Sequence, residues 1–81
     1  YALEQVAICL TKGAEKYEDN NWKYVGAAEA RYLDALMRHV EARRKGEVLD
    51  AEGNDHLAAI VVNGLFLLEF EHNPEFKKES E

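Results

Sequence analysis

Residues 56–70 read His-Leu-Ala-Ala-Ile-Val-Val-Asn-Gly-Leu-Phe-Leu-Leu-Glu-Phe, and this stretch decides the fold class. It is too long for an ordinary strand and carries apolar side chains all round a helical projection, the pattern of a helix central to a core. Only His56 and Asn63 interrupt it before Glu69. They stand seven positions apart, so on a helix they share one stripe. The apolar run is too short to span a bilayer. Asn54 or Asp55 stands where a helix N-cap belongs.

Upstream, residues 46–54 (Gly-Glu-Val-Leu-Asp-Ala-Glu-Gly-Asn) form an acidic, glycine-bearing loop. Before it, Leu33, Leu36, Met37 and Val40 mark the apolar face of a second helix, which Gly46 is placed to stop. Arg31, Asp34, Arg38 and Glu41 fall on its opposite face, while Tyr32 and His39 border the apolar one. At the start of the chain Leu3, Val6, Ala7, Leu10, Ala14 and Tyr17 repeat in steps of three and four, a further helical stripe. Gly13 interrupts it, which fits a close approach or a bend. Asp19-Asn20-Asn21 is turn chemistry.

The expectation is therefore an all-α fold: three helices at about 2–18, 26–45 and 55–71, no sheet, and a charged tail from about Pro74. The whole chain, 1–81, forms a single domain. Three helices cannot enclose one that is apolar on every side, so this small three-helix unit is expected to pack into an oligomeric helical bundle, a dimer or tetramer.

Composition narrows the function. The net charge of -6 opposes non-specific nucleic-acid binding, which needs a basic patch. A single cysteine, Cys9, permits no internal disulfide. No membrane span and no signal-peptide profile are legible, so the chain reads as cytoplasmic. No phosphate-binding loop or dinucleotide fingerprint occurs.

The polar residues supply the candidates. Burying a polar group without a partner costs several kcal/mol. His56 and Asn63 therefore either make ordinary core hydrogen bonds or face a pocket that His39 also borders. Asp50, Glu52 and Asp55 are either solvated acids at a helix start or hard oxygen donors suited to Mg²⁺ or Mn²⁺. Tyr17, Asn21, Trp22 and Tyr24 cluster by the turn, either as a packed lid or as a surface for a base.

Taken together, Lys12-Gly-Ala-Glu-Lys-Tyr17 with Asn21-Trp22, then Arg31-Tyr-Leu-Asp-Ala-Leu-Met-Arg-His39, resemble the phage-associated dATP/dGTP diphosphohydrolase N-terminal domain family. Gly46-Glu47, Asp50, Glu52, Gly53, His56-Leu57-Ala58, Asn63 and Phe66-Leu67-Leu68 continue the similarity over nearly the whole chain. That family is related in outline to the all-α, MazG-like nucleotide pyrophosphohydrolases. The chain departs from the MazG-like pattern, since Arg38-His39-Val40-Glu41 stands where a Glu-Glu-x-x-Glu would be, and from the phage family in carrying Ala59 where its members are expected to show a second His.

The resemblance implies hydrolysis of a purine deoxynucleoside triphosphate, dATP or dGTP, to the monophosphate and pyrophosphate, with Mg²⁺ or Mn²⁺, in host cytoplasm if the chain is phage-encoded. It implies metal donors among Glu41, Asp50, Glu52 and Asp55. His39 or His56 would orient or deprotonate the water. Lys16 or Arg38 would contact phosphate, Tyr17, Asn21 and Trp22 would contact the nucleotide, and Asn63 would bond a phosphate, a water or the base. The alternative is a non-catalytic oligomerisation or interaction module with the same core.

Overall fold

The computed structural model of the protein describes residues 1–16 and 28–73. They form three helices: α1 (Ala2–Lys16), α2 (Ala28–Arg44) and α3 (His56–His72). These match the sequence expectation in number, order and type. Among the described residues there is no strand, only an isolated bridge between Leu49 and Asp55.

Each helix carries local reasons for its bounds. Glu4 and Glu29 lie in the first turns of α1 and α2, and Arg43 and Arg44 in the last turn of α2, so side-chain charge opposes the helix dipole at these ends. α2 stops as its sequence predicts. Gly46 takes a φ of +96°, its N–H donates to the Arg43 carbonyl, and the Glu47 N–H donates to the Ala42 carbonyl. That pair of bonds around a left-handed glycine is the Schellman closure. α3 starts at Asp55, whose carboxylate accepts from the Leu57 N–H at 2.9 Å. It ends at Asn73, whose N–H donates to the Glu69 carbonyl.

α3 packs extensively on α2 and less on α1. The α2 contact is antiparallel. Tyr32, early in α2, meets Phe66 and Phe70 late in α3, at ring separations of 4.9 and 6.0 Å. His39, late in α2, meets His56 at the start of α3. Among the described residues the buried apolar ones, Ala58, Ala59, Val62 and Phe70, all belong to α3, which is therefore the central helix.

Two faces differ from the sequence reading. Leu33 and Met37, assigned to the apolar face of α2, are more than half exposed, while Tyr32, Ala35, Leu36, His39, Val40, Ala42 and Arg43 are half-buried. On α1 the half-buried residues are Gln5, Val6 and Cys9, whereas Leu3, Ala7 and Leu10 of the expected stripe are exposed. The cause is the same in both. A stripe wide enough to meet two neighbours meets one here, so part of it stays open. α3 itself leaves Leu57, Val61, Leu65 and Leu68 about half exposed along one side. No helix of the described residues is long and apolar enough to cross a membrane.

Candidate functional site

The site is built by two turns that return the chain from the end of α2 to the start of α3. After the Gly46 closure, the His56 N–H donates to the Val48 carbonyl at 3.0 Å, and the Asp50 N–H to the Asn54 carbonyl at 2.8 Å. Within this narrow link Asp50 opens a turn closed by the Gly53 N–H on the Asp50 carbonyl, with Gly53 at a φ of +83°. Asp at the first position and Gly at the fourth suit such a turn. The Asp50 carboxylate fixes it further: Oδ1 accepts from the N–H groups of Glu52 (2.8 Å) and Asn54 (2.9 Å).

The turns set His56 against α2. His39 Nδ1 and His56 Nδ1 lie 2.7 Å apart, a hydrogen bond between two rings inclined at 53°. His56 is 5% exposed, and its other nitrogen, Nε2, is buried without a hydrogen-bond partner. Glu47 Oε2 lies 3.5 Å from it, an ion-pair distance. His39 is half-buried. Its pKa lies below the ordinary histidine value, first because burial disfavours the cation, then because His56 is close; Asp50 pulls it up, and Arg38 adds to the lowering. His39 is thus a neutral imidazole at physiological pH, able to accept a proton.

Burial raises the Asp50 pKa, but the hydrogen bonds from Asn54 and Glu52 and the nearby His39 outweigh it, and the net position is below the ordinary carboxylate value. The field of Asp50 also reaches α1. The Cys9 thiol is pushed up, first by burial and then by Asp50, against the pull of Lys12. A thiol held protonated is a poor nucleophile.

The remaining candidates scatter. Asn63 is buried, and its Nδ2 donates to the Ala59 carbonyl one turn back in its own helix at 2.8 Å, the ordinary core bond rather than a reach toward His56. Asp55 caps α3. Glu41 is exposed and pairs with Arg44 at 3.5 Å. Glu52 and Arg38 are exposed. Tyr17, Asn21, Trp22 and Tyr24 lie outside the described residues, and of Lys16 only the backbone is described, at the end of α1. Among the described residues no group of three His, Cys, Asp or Glu side chains is arranged to hold a metal ion. An open groove lined by Glu4, Ala7, Ile8, Thr11 and Lys12 lies on α1, and the histidines do not line it.

Glu47 was given no role by the sequence. A signal for it existed: it is the first residue past the glycine that stops α2, and the link to His56 is short enough to fold back on itself.

Compared with known proteins, a family model described as "dATP/dGTP diphosphohydrolase, N-terminal" matches residues 1–80. No curated protein and no solved structure matches. The chain belongs to the dATP/dGTP diphosphohydrolase N-terminal family.

Proposed function

We propose that this member of the family is a nucleoside triphosphate pyrophosphohydrolase acting on purine deoxynucleotides, converting dATP or dGTP to the monophosphate and pyrophosphate. The observation that carries the reading is the histidine pair. A neutral, half-buried His39 bonded to a buried His56 is chemistry that a packing role alone does not call for. In the reaction, water attacks phosphorus, the bridging bond between the α and β phosphates breaks, and its electron pair leaves with pyrophosphate. The pair supplies the acceptor for the water's proton.

The family resemblance also implies Mg²⁺ or Mn²⁺. The described carboxylates of one chain do not form a three-donor set, and Asp50 and Asp55 each have one oxygen occupied by backbone N–H groups. The divalent ion enters with the substrate as the metal–triphosphate complex, which screens the phosphates from an acidic protein. Arg38, exposed one residue before His39, is a cation available to a phosphate.

A second reading rests on a separate observation. Leu57, Val61, Leu65 and Leu68 leave one side of α3 open, and among the described residues the buried apolar core is small. A homo-oligomer, dimer or tetramer, would cover that side. If assembly is the whole role, the domain is a non-catalytic module.

One experiment separates the two: pyrophosphate release from dATP and dGTP with Mg²⁺ or Mn²⁺, measured beside His39→Ala and His56→Ala. The enzyme reading expects release that falls at least about a hundredfold in either variant, with helicity retained. No release from the parent protein, together with a concentration-dependent oligomer, favours the module.

A further inference from the structure

The two histidines and Glu47 form a chain whose proton positions follow from the geometry. At 2.7 Å, one Nδ1 must carry hydrogen and the other a lone pair; two protons would clash and two lone pairs would repel. With both rings neutral, two arrangements satisfy this. In the first, His56 donates from Nδ1 to His39. Its Nε2 is then a bare lone pair, buried, with no donor in reach and a carboxylate oxygen 3.5 Å away. That leaves a buried acceptor unsatisfied and sets it against negative charge. In the second, His56 carries its hydrogen on Nε2, pointing at Glu47, and accepts at Nδ1 from His39. Here the buried nitrogen becomes a donor 3.5 Å from a carboxylate oxygen, in an interaction assisted by charge.

The geometry points to a Glu47–His56–His39 relay, in which Glu47 fixes His56 as its Nε2–H form, His56 fixes His39 as its Nδ1–H form, and the lone pair of His39 Nε2 is the base. His39 Nε2 is the remaining ring nitrogen of the pair, on the half-buried histidine, and His56 Nδ1 holds the ring that carries it. Glu47 and His56 are positioning residues; they act through His39. The backbone of Glu47 is fixed, because its N–H closes the Schellman turn on the Ala42 carbonyl.

The use of this base rests on the pyrophosphohydrolase reading. There, a water proton moves to His39 Nε2 as the water oxygen bonds to phosphorus and the bridging bond breaks. The imidazolium still donates from Nδ1 to His56, and the proton then returns to solvent or to the departing pyrophosphate. Nothing else is consumed.

The test reads the tautomers directly. Ring ¹⁵N spectra of the full protein at neutral pH, assigned with single His→Gln variants, should show His39 protonated at Nδ1 and His56 at Nε2. Glu47→Ala should mix the two forms in both rings, and Glu47→Gln should retain them, because the amide oxygen still accepts from Nε2–H. Glu47 is more than half exposed, so neither variant threatens folding. In turnover, Glu47→Ala should lower kcat about tenfold to a hundredfold with KM little changed, the usual scale for losing a group that orients a reacting one, and Glu47→Gln should restore most of it. His39 carrying its proton on Nε2, or tautomers that ignore Glu47→Ala, overturns the relay. Correct tautomers in a protein that hydrolyses neither dATP nor dGTP uphold the relay and remove the pyrophosphohydrolase reading.

Discussion

Replacing Asp50 separates its part in the loop from any part in substrate binding. Asp50→Ala removes the acceptor of two backbone N–H groups, those of Glu52 and Asn54. Each such bond contributes about 0.5–1.5 kcal/mol net. The Glu52 bond is exposed and the Asn54 bond part-buried, which places the sum at about 1–2 kcal/mol on that scale. At the stability common to natural domains, a chain of 81 residues has about 4–12 kcal/mol in all, so this loss is large. Asp50→Asn keeps a carbonyl oxygen at the same place and should lose less than half as much. Urea unfolding followed by circular dichroism, at one fixed protein concentration, reads the difference. With a slope near 1 kcal/mol per molar, Asp50→Ala should move the midpoint down by about 1–2 M. If Asp50→Ala leaves the midpoint in place, or if Asn and Ala are equally damaging, the account of the loop is wrong. If both variants lose pyrophosphate release while Asn keeps stability, the carboxylate charge also serves the substrate.

Further outcomes follow from single positions. Phe70 is fully buried and stacked with Tyr32, so Phe70→Ala should cost about 3–5 kcal/mol and leave the chain largely unfolded at 37 °C by circular dichroism. A Cβ at Gly13 meets no described atom within 4 Å, so Gly13→Ala should stabilise α1 by about 0.8–1 kcal/mol, seen as a higher melting temperature; destabilisation would show that a close approach exists there after all. His39 has a folded pKa below the ordinary value of about 6.5. Its contribution to stability is therefore present above that value and lost as pH falls through it toward the folded pKa. His39→Gln should flatten the pH dependence of the urea midpoint in that window, and an unchanged slope would refute the assignment. Replacing Val61 and Leu65 by Lys should dissociate any oligomer built on the open side of α3 without loss of helicity, read by light scattering; an unchanged mass would place the interface elsewhere.

The three helices were legible because their signals are local. A glycine in the left-handed region ends α2, an aspartate caps α3, and the period of the apolar residues marks the spans between. What the sequence could not rank was which part of a broad apolar stripe meets a neighbour. Leu33 and Met37 satisfy the same periodicity as Leu36 and Val40, and only the placement of α3 distinguishes them. The site divides the same way. His39 and His56 stood out as polar residues at the border or centre of apolar faces, and the structure brings their rings together. The acids of the loop stood out by composition, yet composition does not reveal whether a carboxylate faces outward or closes its own turn, and Asp50 and Asp55 both bond backbone.

The differing fates of His56 and Asn63 follow from one seam. Counting along α3, His56, Ala59, Asn63, Phe66 and Phe70 repeat in steps of three and four, and the contacts of His56, Phe66 and Phe70 show that this stripe faces α2. Antiparallel pairing sets its ends against His39 and Tyr32, so its middle lies against the stretch of α2 between them. The half-buried residues of that stretch are Ala35 and Leu36, which offer no side-chain donor or acceptor. An asparagine in mid-seam therefore turns to its own backbone, and Asn63 bonds Ala59. At the end of the seam the same requirement has a different solution, because α2 presents an imidazole there and the Gly46 turn brings a carboxylate behind it. A buried polar pair at a helix seam also fixes register, since sliding α2 past α3 would leave both rings without partners. The pair proposed as the site is thus also a contact that holds α2 and α3 in register.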